Sequence, residues 1–253
     1  MLGLVVKSTG SWYRVRLDDG TYHQTRIKGK FRIGGLKSTN PISVGDRVKL
    51  SLEGNDYLIN EILQRKNYII RKSVNLSKQV HIIASNIDQA FLIVTLVSPF
   101  TSTGFIDRFL VTAEAYQVPT IIVFNKVDLY DEFDREYHDE VVKVYSDAGY
   151  ECAEVSALNQ QNISVLTERM KDNVTLLSGH SGVGKSTLVN AIDPNLDLLT
   201  QQVSDAHQKG IHTTTFAEMF ELDFGGFIID TPGIKGLGLV EIEDSELADY
   251  FPE

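Results

Sequence analysis

The chain has 253 residues, with 24 lysines and arginines against 34 aspartates and glutamates, a formal net charge of -10 and 42% apolar residues. That length holds two domains and a sizeable core. A single cysteine, Cys152, excludes an intramolecular disulfide and a Cys-rich structural zinc site, and no apolar run reaches bilayer-spanning length.

Met1–Lys7 lacks the charged-then-apolar layout of a secretory signal, so a cytoplasmic location is expected. Cys152 lies in an apolar stretch, where a buried structural thiol is expected rather than a nucleophile. The charge is uneven. Residues 1–72 carry a formal +8 and the remainder -18. A basic module on an acidic body suits nucleic-acid binding.

Short strand patterns fill the first seventy residues: Leu2–Lys7, Trp12–Leu17, Thr21–Ile27, Asp46–Leu52 and Tyr57–Leu63. Asp18-Asp19-Gly20 and Glu53-Gly54-Asn55-Asp56 supply hairpin turns. Five strands in this length predict a small closed all-β barrel of the OB type. Such barrels bind oligonucleotides through basic and aromatic side chains. Trp12, Arg14, Arg16, Lys28, Lys30 and Arg32 are the RNA-binding candidates, with Tyr13 beside them. Trp12 fits the barrel core and its surface equally well.

Beyond residue 76 the pattern alternates strand and helix. Ile87–Val97 reads as a strand, Gly104–Gln117 as a helix, Pro119–Phe124 as a strand and Asp131–Ala148 as a helix. Tyr150–Val155, Gln161–Lys171 and Val174–Leu177 continue strand, helix, strand. A helix over Lys185–Ile192 and a strand pair, Phe216–Leu222 and Phe227–Asp230, follow. This predicts a mainly parallel sheet covered on both faces.

Three motifs sit on that frame. Asn125-Lys126-Val127-Asp128 follows a buried strand and reads as a guanine-selecting element. Its aspartate would accept the guanine N1 and N2 hydrogens, a donor pair that adenine lacks. Ser156-Ala157 would add a backbone N–H for the guanine O6. Gly179-His180-Ser181-Gly182-Val183-Gly184-Lys185-Ser186, with Thr187, reads as a P-loop. Its backbone N–H groups would wrap phosphate, Lys185 would contact the β- and γ-phosphates, and Ser186 would coordinate Mg²⁺. Asp230-Thr231-Pro232-Gly233 reads as a sensor of Mg²⁺ and the γ-phosphate, through Asp230 and the Gly233 N–H. The long segment from Asp193 to Thr215 is placed as a first switch, with Thr213, Thr214 or Thr215 completing the Mg²⁺ shell. Ile234 follows the sensor glycine where many GTPases carry a water-orienting glutamine. His212 is the candidate for orienting water, with Lys185 as the other catalytic candidate.

The guanine element precedes the P-loop, the reverse of an ordinary small GTPase, so the chain reads as circularly permuted. Together with Tyr68-Ile69-Ile70-Arg71-Lys72 and His212-Thr213-Thr214-Thr215, these motifs resemble the ribosome small-subunit-dependent GTPase A family (RsgA, also YjeQ or YloQ). The resemblance implies an α/β P-loop NTPase domain, circularly permuted with a mainly parallel sheet, preceded by an OB-fold barrel. It implies a GTP hydrolase in late maturation of the 30S ribosomal subunit that contacts 16S rRNA and is stimulated by that subunit. The expected division is 1–72 for the OB-fold RNA-binding domain, 73–236 for the permuted GTPase domain and 237–253 for the start of a C-terminal region. The family also implies a C-terminal zinc-binding domain. This sequence reaches Glu253 without a Cys/His module, so Zn²⁺ is not carried over. GTP and GDP are the expected ligands, in a monomer with no membrane partner. A nucleotide-gated RNA-binding module with incidental hydrolysis is the alternative.

Overall fold

The computed structural model describes residues 1–28, 41–72, 80–196 and 217–230. Five strands come first: β1 (Leu2–Ser8), β2 (Tyr13–Leu17), β3 (Tyr22–Ile27), β4 (Arg47–Glu53) and β5 (Asp56–Ile62). β1 pairs with both β2 and β4, and β3 closes the ring by running parallel to β5. Alternate residues point inward, and Val5, Tyr13, Val15, Val48 and Ile59 pack a closed interior. Gly20 and Gly54 turn the two hairpins at φ of 86° and 65°, conformations a side chain would strain.

A separate hairpin of β6 (Tyr68–Lys72) and β7 (Val80–Ser85) follows. The sequence reading assigned no strands there. Asp46, fully buried just before β4, ties it to the barrel. The Arg65 guanidinium donates to both oxygens of Asp46 at 2.6 Å, and the Ser85 hydroxyl donates to one of them at 2.6 Å.

The α/β part runs β8 (Gln89–Val94), α1 (Thr103–Ala115), β9 (Thr120–Phe124), α2 (Glu132–Asp147), β10 (Glu151–Glu154), α3 (Ile163–Met170), β11 (Val174–Ser178), α4 (Lys185–Ile192), β12 (Glu218–Glu221) and β13 (Phe227–Asp230). The strand order is β10-β9-β8-β11-β13-β12, parallel except for β12. Ala90, Leu92, Val94, Ile122 and Phe124 face α1 and α2, whereas Phe91, Ile93, Ile121 and Val123 face α3 and α4. This alternation explains why the strands read as continuous apolar runs: both faces are covered.

The sheet does not stop at the domain junction. β12 also meets β1, with Lys7 opposite Glu218, so one eleven-stranded sheet runs through both parts. Side chains reinforce the seam. Lys7 pairs with Glu218 at 2.7 Å, and Arg16 donates through Nε and Nη2 to Glu221 at 2.8 and 2.7 Å. The Tyr22 hydroxyl donates to the same carboxylate at 2.6 Å.

Candidate functional site

Parallel strands place their carboxyl ends on one edge. Asn125 therefore follows β9, Ser156 lies just past β10, Gly179 follows β11 and Asp230 ends β13, all on that edge. From β8 the chain goes to one side for β9 and β10 and to the other for β11. The covering helices change face at the same point. A crevice opens at such a reversal, which is where ligands of open α/β sheets bind.

Asn125 holds three segments together. It is 1% exposed. Its Oδ1 accepts the Ala157 N–H at 3.0 Å, and its Nδ2 donates to the Val183 carbonyl at 2.8 Å. Lys126, at φ 65°, extends across the glycine-rich loop and donates through Nζ to the Gly182 carbonyl at 2.8 Å and the Ser98 carbonyl at 2.6 Å. Val127 to Leu129 form one 3-10 turn, with Val127 buried and Asp128 in its first turn.

The glycine-rich loop leads into α4 without a side-chain cap. The first-turn N–H groups of a helix lack intrahelical acceptors and favour an anion through the helix dipole. Gly184 stands at φ 92°, and a Cβ there would fall 2.5 Å from Asn125 Nδ2. Only glycine lets the loop close on Asn125. The Lys185 ammonium donates to the His180 carbonyl at 3.0 Å, folded back over its own loop. Ser186 and Thr187 are exposed on the first turn.

The expected strand Ile87–Val97 ends at Val94, and the segment after it lies beside the glycine-rich loop. His180 Nε2 lies 2.7 Å from Thr101 Oγ1, which accepts the Thr95 N–H at 3.1 Å. Pro99 lies 3.3 Å from where a Cβ on Gly182 would stand. Nothing in Thr95–Thr101 carries a phosphate or base signature, so spacing alone gives no signal there.

Asp230 lies opposite Leu177 in the sheet, two residues before Gly179. Ser186 and Asp230 offer a hydroxyl and a carboxylate, the hard-oxygen donors that suit Mg²⁺ beside phosphate. The donor chemistry therefore fits that ion. His212, Thr213, Thr214, Thr215 and Gly233 lie outside the described residues, as do Lys30 and Arg32. Among the described residues no group of three or more His, Cys, Asp or Glu side chains is arranged to hold a metal. Cys152 is partly buried, and burial pushes its thiol pKa up, the opposite of an activated nucleophile.

The other barrel candidates divide. Trp12 is 41% exposed, with the Arg26 guanidinium 3.6 Å above its ring. Arg14 covers the Tyr22 ring at 4.7 Å. Lys28 pairs with Glu53. Arg16 lies in the seam on Glu221, and Tyr13 is fully buried in the barrel core.

An N-terminal barrel, a sheet of this order, and a guanine-type element placed before its glycine-rich loop define a circularly permuted GTPase. The family profile described as RsgA GTPase matches residues 62–240, and that of the RsgA N-terminal domain matches residues 2–57. The chain belongs to the RsgA GTPase family. It is 56% identical to the small ribosomal subunit biogenesis GTPase RsgA of Christiangramia forsetii and 55% identical to that of Bacteroides fragilis, covering 100% of this chain and 82% of each relative. Among solved structures it resembles YjeQ from Thermotoga maritima, with a TM-score of 0.79 and 36% identity over 99% of this chain and 81% of that one. It also resembles YloQ, a circularly permuted GTPase, with a TM-score of 0.72 and 28% identity over 99% and 77% of the two chains.

Proposed function

We propose that this protein binds GTP at the carboxyl edge of its parallel sheet and hydrolyses it while acting on the maturing small ribosomal subunit. The observation that carries the reading is the Asn125 side chain, bonded at once to Ala157 and Val183. It joins the base-reading segments to the phosphate-reading one, as a guanosine nucleotide requires. Asp128 takes the guanine N1 and N2 hydrogens, and the Ala157 turn presents its backbone to O6. The loop from Gly179 to Ser186, read as a P-loop of an NTPase domain, wraps the phosphates, with Lys185 swinging from its own carbonyls to the β- and γ-phosphates. Ser186, Asp230 and one of Thr213, Thr214 or Thr215 hold Mg²⁺, which neutralises charge on the phosphate oxygens. His212 orients the attacking water, since Ile234 has no polar side chain, and the Gly233 N–H senses the γ-phosphate.

The barrel, read as an OB-fold, is the RNA-facing module. Trp12, Arg14, Lys28, Lys30 and Arg32 meet rRNA, while Arg16 serves the seam. The proposed division remains 1–72, 73–236 and 237–253. The protein works as a cytoplasmic monomer, and among the described residues no helix is long and apolar enough to cross a membrane.

GTP turnover with 30S subunits, with 50S subunits and with neither tests this reading. Stimulation by 30S alone, by more than about tenfold, is expected. Trp12→Ala combined with Arg14→Ala raises the subunit concentration needed for half-maximal stimulation. Equal turnover under all three conditions favours a nucleotide-gated RNA-binding module with incidental hydrolysis.

A further inference from the structure

We infer that Arg135 is a positioning residue for guanine selection, clasping the two base-reading segments from behind; this rests on the nucleotide reading above. Arg135 lies on the first turn of α2, which is fixed by reciprocal bonds between Asp131 and Asp134. Its Nη2 donates to the Val127 carbonyl at 2.8 Å, and its Nη1 pairs with Glu154 at 3.1 Å. Glu154 ends β10 and precedes Val155, whose carbonyl accepts the Val127 N–H at 3.3 Å. The contacts form a closed ring: Val127 carbonyl, Arg135, Glu154, Val155 carbonyl, Val127 N–H.

The peptide gripped by Arg135 is the one joining Val127 to Asp128. Its orientation sets the Asp128 Cα, and with it where the carboxylate meets the base. The other arm of the ring holds the strand end that delivers Ser156 and Ala157. The remaining neighbours leave little slack. Arg135 also covers the Tyr130 ring at 5.1 Å, and buried His138 places its Nε2 3.8 Å from Glu154 with no hydrogen-bond partner of its own. The effect of Arg135 passes through the Val127–Asp128 peptide.

The planar fork of arginine reaches two acceptors in one geometry, which a lysine ammonium does not reproduce. Both Arg135 and Glu154 are 43% exposed, so water offers partial replacement and the effect is moderate.

The test is competition binding of GDP and inosine diphosphate, which lacks the 2-amino group, to the wild-type protein and to Arg135→Ala, Arg135→Lys and Glu154→Gln. Arg135→Ala is expected to weaken GDP by about tenfold and inosine diphosphate by much less, so the preference for GDP shrinks. KM for GTP should rise with it, while kcat moves far less. Arg135→Lys should fail to restore the preference, and Glu154→Gln, which keeps a neutral acceptor, should give a smaller loss. If Arg135→Ala does not fold, the lysine and glutamine variants carry the same comparison. An unchanged GDP preference in folded variants, or full restoration by lysine, overturns the proposal. Equal binding of ADP and GDP by the wild-type protein would instead remove the nucleotide reading itself.

Discussion

Asn125 shows how one carboxamide ties three chain segments together. Both of its polar atoms are used on backbone groups of other segments, and solvent is excluded. Asn125→Ala would leave the Ala157 N–H and the Val183 carbonyl without their partner, at about 1–3 kcal/mol for each buried group left unpaired. We expect GDP affinity to fall by about ten- to a hundredfold, read by titration with a fluorescent GDP, with a lower urea midpoint. Asn125, Lys126, Gly184 and Lys185 were legible as motif residues because their chemistry demands fixed types at fixed spacing. Arg135, Thr101 and Pro99 were not. They act through contacts that fix no residue type by spacing, and many sequences can present a guanidinium, a hydroxyl or a proline at such places.

At the scale of elements, β2 alternates buried and exposed residues, β1 is buried continuously from Gly3 to Val6, and the parallel strands follow their continuous apolar runs. The hairpin of β6 and β7 escaped because Tyr68–Lys72 is short and its neighbours set its fate. The seam between β1 and β12 escaped for another reason: periodicity gives a strand's buried faces, never the identity of its neighbour. Glu221 closes that seam. Burial alone would raise its pKa, but hydrogen bonds from Tyr22 and Arg16 outweigh burial and hold it below the usual carboxylate value. A depressed folded-state pKa adds stability that is fully present above the unfolded value and is lost as pH falls through the folded one. The wild-type protein should therefore lose stability on acidification more steeply than Glu221→Gln, as measured by urea unfolding from neutral pH down through the carboxylate range. Identical pH profiles would show that the seam does not depend on this charge. The pair is partly exposed, so its worth at neutral pH is expected to be within about 1 kcal/mol.

Over the whole molecule, cutting the chain at a new place leaves the sheet order and the crevice intact, because packing fixes strand neighbours and the ligand sees only the assembled edge. What the permutation changes is which parts adjoin. Here β12, between the predicted first switch and the strand ending at Asp230, also borders the basic barrel. β12 touches the barrel at β1 and, through Glu221 and Arg16, at β2, the strand that carries Arg14 and follows Trp12. The charge asymmetry and the motif order were visible in sequence, whereas the shared sheet needed three dimensions. The central claim is that Asp128 and the loop around Lys185 serve one guanosine nucleotide. Competition binding of GDP, ADP and xanthosine diphosphate to the wild-type protein and to Asp128→Asn tests it most directly. The wild-type protein should prefer GDP over both others by more than about a hundredfold, and Asp128→Asn should move that preference toward xanthosine diphosphate, whose C2 carbonyl accepts from the new amide. Equal affinity for ADP and GDP, or an Asp128→Asn protein with unaltered base preference, would contradict it.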